Sequence, residues 1–266
     1  MRTRIISGIF LVIILILTAG FGSWLLYAAT LFISLIGMYE LNRVKKLEKT
    51  SIAIISYFAA IAYYLLLLIN DNKFDILLIV IAFLVMMSFY VFSFPKYKAE
   101  DVMWSFFSLI YVAIMISYIY LVRSMDSGIY IVWLIFIASW GNDTCAYFTG
   151  VFFGKHKMAP VLSPKKSIEG GIGGVLGATL LGAIYGFVLS KCVENITIYA
   201  VAIFAGASFI GALISIIGDL AASAIKRNYD VKDYGDLIPG HGGILDRFDS
   251  VIFTAPVVYW IIYLLA

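Results

Sequence analysis

Three aspartates, with lysines and arginines near them, carry the clearest chemical potential in this chain. Asp219 follows Ile216, Ile217 and Gly218 in otherwise apolar surroundings. At about 3.6 residues per turn a helix would place Ser223 and Lys226 on the same face. Asp219 would then lie roughly 10 Å along the axis from Lys226. An ionised carboxylate at the margin of a membrane is costly unless it is paired or bound to a metal. The plainer reading is a structural pair with Lys226 or Arg227. The more chemical one draws on Asp246, Arg247 and Asp249, which stand immediately before the last apolar run. Asp246 and Asp249 share a side if that turn is helical. Convergence of Asp219, Asp246 and Asp249 would suit Mg²⁺, which takes hard oxygen ligands and shares them with substrate phosphates. A second metal ion is left open. Between these aspartates lie Pro239, Gly240, His241, Gly242 and Gly243. Glycines there let backbone amides approach a phosphate closely, with Lys226, Arg227 and Arg247 as its cationic partners. His241, with no second histidine nearby, suits phosphate or base contact better than zinc.

Two further clusters are polar where the chain is otherwise apolar. One reads Ser163, Pro164, Lys165, Lys166, Ser167, Ile168, Glu169, Gly170, Gly171. Lys165, Lys166 and Ser167 directly precede a predicted helix start, where free amides and the helix dipole favour anions. Glu169 would orient a lysine or cap the helix. Lys155 and Lys157 read as ordinary solvated loop charges. The other cluster, Trp140 to Tyr147, contains Asn142 and Asp143 inside an apolar run. At that depth a polar pair should face protein or a water-filled cavity rather than lipid. Hydrogen bonding between helices is its alternative role.

The elements that must position these residues are transmembrane helices. Hydrophobic residues make up 63% of the 266 and charged residues only 13%, whereas about a quarter of a soluble domain is charged. Lipid is therefore the main solvent. A bilayer core about 30 Å thick needs about 20 helical residues, and nine apolar runs fit. They are Ile5 to Thr18, Trp24 to Leu41, Ser51 to Ile69, Ile76 to Phe94, Val102 to Val122, Ile129 to Phe153, Ile172 to Leu189, Ile198 to Ile225 and Val251 to Leu265. The first pair, interrupted at Ala19 to Gly22, is expected to form a tight hairpin or a partly re-entrant element. With a cytosolic N-terminus, 16 of the 19 Lys and Arg fall on the cytosolic side and only Lys73, Arg123 and Lys191 outside. This bias predicts the orientation and puts the C-terminus outside. The N-terminal run lacks a small-residue cleavage site, which argues against a signal peptide. Cys145 and Cys192 fall on opposite sides of the membrane, which argues against an internal disulfide. No basic patch with interleaved aromatics points to nucleic acid, so none is expected as a partner. The division expected is a hairpin over 1–50, packing helices over 51–128 and a chemical region over 129–266, in an all-α polytopic protein.

The stretch Ser223 to Asp249, SAIKRNYDVKDYGDLIPGHGGILDRFD, resembles the signature of the phosphatidate cytidylyltransferase, or CDP-diacylglycerol synthase, family. Ser-x-x-Lys-Arg, Lys232-Asp233, Pro239 with His241-Gly242-Gly243, and Asp246-Arg247 with Asp249 carry the match. Asn142-Asp143 with Ala146-Tyr147, and Ser163 to Ser167 with Glu169-Gly170, extend it through the C-terminal half. The resemblance implies that CTP and phosphatidic acid give CDP-diacylglycerol and pyrophosphate, with Mg²⁺ required. With this reading, Asp219, Lys226, Asp246, Arg247 and Asp249 are expected to carry catalysis. Substrate contacts would come from Asn142, Asp143, Lys165, Lys166, Ser167, Glu169, Ser223, Arg227, Gly240, His241, Gly242 and Gly243. The expected partners are CTP, phosphatidic acid and the bilayer, and a homodimer is compatible with such an enzyme. A cytidylyltransferase for another lipid or polyprenyl phosphate stays open. A secondary transporter would spread charge through the membrane depth rather than gather it at one face. The paired-aspartate helix motif of CDP-alcohol phosphatidyltransferases does not appear.

Overall fold

The computed structural model describes residues 2–69, 74–194, 196–238, 240 and 242–265, with the side chains of 2–7, 9–11 and 23 left aside. Lys73, Pro239 and His241, and the side chains of Arg2 and Arg4, lie outside the described residues. Helices dominate the chain: α1 (Arg2–Phe21), α2 (Ser23–Val44), α3 (Ser51–Ile69), α4 (Asp75–Phe92), α5 (Ala99–Ser108), α6 (Met115–Arg123), α7 (Gly128–Phe136), α8 (Asn142–Phe153), α9 (Ile168–Cys192), α10 (Ala200–Asn228) and α11 (Leu245–Leu265). Wide π turns at Leu109–Ile114 and Ile137–Gly141 join α5 to α6 and α7 to α8. These pairs form continuous rods over Ala99–Arg123 and Gly128–Phe153.

Among the described residues, eight helical stretches are long and apolar enough to cross a membrane. With its 20 residues, α1 reaches a similar length and makes the ninth. The protein is an integral membrane protein, and the outward faces of its helices carry large apolar side chains such as Phe58, Phe92, Leu180 and Ile217. The first hairpin breaks at Gly22 alone, so α1 runs through Ala19 and Gly20. Two local expectations differ from the structure. The last helix starts at Leu245, six residues before the apolar run, so Asp246, Arg247 and Asp249 are helical. The segment before α9 is not a simple loop: Lys157–Ala159 (β1) and Ser163–Ser167 (β2) pair as an irregular antiparallel hairpin. Pro164 disfavours a helix there, and the extended backbone of Ser167 serves as the N-cap of α9.

The chain forms two compact units, Met1–Ser117 with Tyr229–Arg247, and Tyr118–Asn228 with Phe248–Ala266. In the first, Ile52, Met86, Tyr97 and Val102 form an apolar cluster, and polar side chains join the helices. Asn42 donates to Ser108 Oγ at 3.1 Å, Trp104 Nε1 donates to the Leu41 carbonyl at 3.2 Å, and Ser34 bonds Tyr64 at 2.8 Å. Such bonds hold helices together where the hydrophobic effect cannot, because lipid is as apolar as leucine. In the second unit α9 is the central strut. Its small residues let α8 and α10 come close, so a Cβ on Gly177 would meet Cys145 Sγ at 2.5 Å and one on Gly186 the Ala200 carbonyl at 2.8 Å.

Candidate active site

In the second unit a cavity of about 480 Å³ is lined by Asn142, Asp143, Ala146 and Tyr147 of α8, Lys165, Lys166 and Ser167 of β2, Gly170 and Gly171 of α9, and Ile216 and Asp219 of α10, with Met158 among the apolar wall. The π turn at Ile137–Gly141 directly precedes Asn142. A π turn adds a residue to the helical circuit and so re-aims the side chains beyond it, as it often does at functional sites. Asn142 is buried, and neither atom of its amide has a hydrogen-bond partner among the described residues. Lys166 forms an ion pair with Asp219, each with roughly a fifth to a quarter of its side chain exposed. A cation that meets Asp219 is thus supplied by β2.

Behind this pair stands Asp249 of α11. Gly218 permits the approach, since a Cβ there would lie 2.9 Å from the Asp249 carbonyl and 3.0 Å from Phe253. Half-buried, Asp249 lies within electrostatic reach of Asp219, Lys226 and Asp143. Its Oδ1 accepts from the Ser250 amide at 2.8 Å. Ser167 and Glu169 organise the entrance to α9. Ser167 Oγ accepts from the Gly170 amide at 3.1 Å, and Glu169 accepts from the amides of Lys155 and His156 and meets His156 Nδ1 at 2.6 Å. Glu169 therefore clamps the turn that leads into the hairpin rather than orienting a lysine. Ser223 and Lys226 are half-buried and Arg227 exposed on the last two turns of α10.

In the first unit, a second cavity of about 530 Å³ is lined by Lys232, Asp233, Gly235, Asp236, Ile238, Gly240, Gly242 and Arg247. Its wall is the polar segment between α10 and α11. The Ile238 amide donates to the Gly242 carbonyl at 2.9 Å, closing a tight turn. Gly240 and Gly242 have φ of 79° and 83°, a region L-residues avoid, so glycine is required for this path. Beneath it, Asp246 Oδ2 accepts from the amides of Tyr234 at 2.8 Å and Gly243 at 3.0 Å. Tyr229, where the segment begins, meets Trp104 edge-on with ring centroids 5.0 Å apart. Burial, reinforced by the negative charge of Glu100, pushes its hydroxyl above the ordinary tyrosine range.

The structure thus gathers most of the predicted residues into two places. Asn142, Asp143, Lys165, Lys166, Ser167 and Asp219 share one cavity, and Gly240, Gly242 and Arg247 share the other, over Gly243 and Asp246. Among the described residues, no three or more His, Cys, Asp or Glu side chains come together as a group that could hold a metal ion.

The model of the cytidylyltransferase family matches residues 2–265. This chain belongs to that family. The chain is 30% identical over 272 residues to a phosphatidate cytidylyltransferase of Bacillus subtilis, covering 99% of this chain and 98% of that one. It is 31% identical to the enzyme of that name from Staphylococcus haemolyticus, over 97% of each chain. A 152-residue stretch is 39% identical to the Thermotoga maritima protein of the same name, covering 57% of this chain and 56% of that one. Similarity to the first two runs through the N-terminal helices as well, where no family motif was legible. One residue of those helices that carries no motif, Glu40, enters the polar segment of the cytidylyltransferase directly. Its oxygens accept from the amides of Ile244 at 3.0 Å and Leu245 at 2.8 Å. The signal available in the sequence was a lone carboxylate near the end of an apolar run, which is rare in a membrane helix without a purpose.

Proposed function

We propose that this protein transfers CMP from CTP to phosphatidic acid at the cytosolic face of the inner or plasma membrane, giving CDP-diacylglycerol and pyrophosphate. The observation that carries this reading is the cavity in which Lys165, Lys166, Asp143 and Asp219 converge beside an apolar wall. A phosphate head attached to acyl chains needs both surfaces at once. The cavity of the polar segment, with Lys232, Arg247 and the backbone of Gly240 and Gly242, takes the nucleotide phosphates. Its volume lies in the range of about 300–1,000 Å³ common for small-molecule sites. The 16 of 19 Lys and Arg that the alternating loops place on one side support a cytosolic N-terminus and an external C-terminus.

In the reaction a phosphate oxygen of the lipid attacks the α-phosphorus of CTP. A new P–O bond forms as the bond to the bridging oxygen of the β-phosphate breaks, and pyrophosphate leaves with that electron pair. The nucleophile is already anionic, so no serine or cysteine need be activated. The protein's work is to bring two anions together and to stabilise the charge that develops, through cations and fixed dipoles. In the second unit Lys165 and Lys166 suit the lipid phosphate, with Lys226 and Arg227 adding positive charge at the end of α10; in the first, Arg247 and Lys232 suit a triphosphate. Asn142 supplies hydrogen bonds that the fold leaves unclaimed.

A divalent cation is compatible with the residues present. Asp143 and Asp219, which line one cavity, offer hard oxygen donors, and Mg²⁺ is commonly held by one or two carboxylates with substrate phosphate and water completing its shell. When bound, the ion would neutralise phosphate charge and orient the leaving group. Asp246, whose Oδ2 is held by two backbone amides, stays a candidate ligand through its remaining oxygen. The test is Mg²⁺-dependent formation of CDP-diacylglycerol by purified protein given radiolabelled CTP and phosphatidic acid in detergent. Parallel arms replace CTP by other triphosphates and phosphatidate by polyprenyl phosphate. Absence of product with CTP and phosphatidate, or turnover confined to the polyprenyl arm, would overturn the proposal.

A further inference from the structure

Glu40 lies one turn from the C-terminal end of α2 and is only 3% exposed. A carboxylate is costly in such a place, and a residue that bears the cost is usually functional. Its partners lie 204 and 205 residues away in sequence. Oε1 accepts from the Ile244 amide and Oε2 from the Leu245 amide, two of the otherwise unpaired donors at the start of α11. A serine or aspartate within the segment could have capped α11 locally. Here a residue of another helix does so, which ties the polar segment to α2.

The segment also closes around this carboxylate from two sides. A Cβ on Gly235 would lie 2.5 Å from Glu40 Oε1, and one on Gly243 would lie 2.5 Å from Oε2. Asp246, one residue beyond Leu245, takes the Gly243 and Tyr234 amides at the same time. Four backbone amides of the segment therefore end on two buried carboxylates. Arg43, on the next turn of α2, adds an exposed tether to Asp236 Oδ1 at 3.2 Å.

We propose that Glu40 is a positioning residue for the nucleotide cradle, holding the start of α11 and its flanking glycines so that Arg247 and the Gly240–Gly242 turn face the triphosphate. This rests on the reading that the polar segment binds CTP. Glu40 touches no reacting atom. It acts through the backbone it fixes, and a carboxylate is needed because two donors must be met by two acceptors. A glutamine offers one acceptor and turns an N–H₂ group toward a backbone N–H.

The experiment is steady-state kinetics of full-length Glu40→Gln in detergent, varying CTP and phosphatidate separately, with thermal unfolding in parallel. Expected is a rise of about tenfold or more in KM for CTP, the scale of a lost charge-assisted hydrogen bond, with KM for phosphatidate within about twofold. If Glu40→Gln does not fold, Gly243→Ala leaves the glutamate in place but displaces the segment from it, and the same selective rise is expected. An unchanged KM for CTP in the folded variant overturns the inference, as does an equal rise for both substrates. So does a Gly243→Ala enzyme with wild-type CTP kinetics. A wild-type protein that makes no CDP-diacylglycerol would instead overturn the function on which the inference rests.

Discussion

Replacing Gly174 by alanine tests the cavity of the second unit without altering any of its polar groups. Gly174 sits on α9 where α8 passes. An added Cβ would lie 2.5 Å from Asn142 Oδ1 and 2.8 Å from the Ala146 Cβ. Ordinary contact begins at 3.4 Å, so the Asn142 amide must move by 0.9 Å and the two helices separate by 0.6 Å to clear the Ala146 Cβ. Overpacking of this size costs about 1–3 kcal/mol, and the gain in helix propensity from glycine to alanine returns about 1 kcal/mol. Net destabilisation of at most about 2 kcal/mol lowers Tm by about 4–8 °C. Activity should suffer far more, because a displacement near 1 Å in a positioned group costs about 100-fold. The assay is CMP transfer from radiolabelled CTP to phosphatidate in detergent, with kcat/KM normalised to folded protein. Gly206→Ala is the control. Gly206 lies on α10, and nothing stands within 4 Å of its added Cβ, so activity should stay within about twofold and Tm should hold or rise. Gly174→Ala with more than half of wild-type kcat/KM would refute the placement of Asn142 and Asp143 at the reacting groups.

Lys166 and Asp219 should prove coupled. Lys166→Met leaves a half-buried carboxylate without its partner, which costs about 1–3 kcal/mol once partial exposure is allowed for. In a thermal-unfolding cycle with Asp219→Asn the double variant should therefore be more stable than the two single losses add up to, and strict additivity would count against the pair. Topology is testable on the native thiols. Cys192 is exposed at the C-terminal end of α9, so a membrane-impermeant maleimide added to intact cells should label it and spare Cys145. Labelling only in inverted vesicles would reverse the orientation.

Membrane spans were legible because lipid imposes them: a helix that must bury its backbone polar groups in hydrocarbon writes a long apolar run. Asn142 and Asp219 were legible as polar residues that such runs do not tolerate without reason, and Lys166 as a cation just ahead of a helix start. What could not be read is what depends on partners distant in sequence. The start of α11 was placed six residues late because hydropathy falls at Asp246, Arg247 and Asp249. The helix nevertheless begins at Leu245, where Glu40 of α2 meets its first amides. Helical spacing on α10 offers Lys226 and Arg227 to Asp219, and only the fold brings Lys166 to it, from a short hairpin whose pairing is irregular. Glu40 itself looked like the end of an ordinary packing helix.

Three aspartates that looked alike in the sequence have different environments, and the difference bears on which of them hold a cation. A carboxylate satisfied by backbone amides is stable as an anion without a metal, and Asp246 gives Oδ2 to two of them. Asp249 is in the opposite position, because two of the charges acting on it, Asp219 and Asp143, repel it. Asp143, Asp219 and Asp249 bring three negative charges to a neighbourhood where Lys165, Lys166 and Lys226 bring three positive ones, a balance with no positive charge to spare. Like charges held together in a half-buried place are costly unless protonated or bridged by a cation. The fold keeps them together through the glycines of α9 and through Gly218. A phosphate entering beside Lys165 and Lys166 would worsen the repulsion, whereas a divalent ion brought with the substrates would relieve it. We therefore propose that the second unit binds cation and phosphate together more readily than either alone.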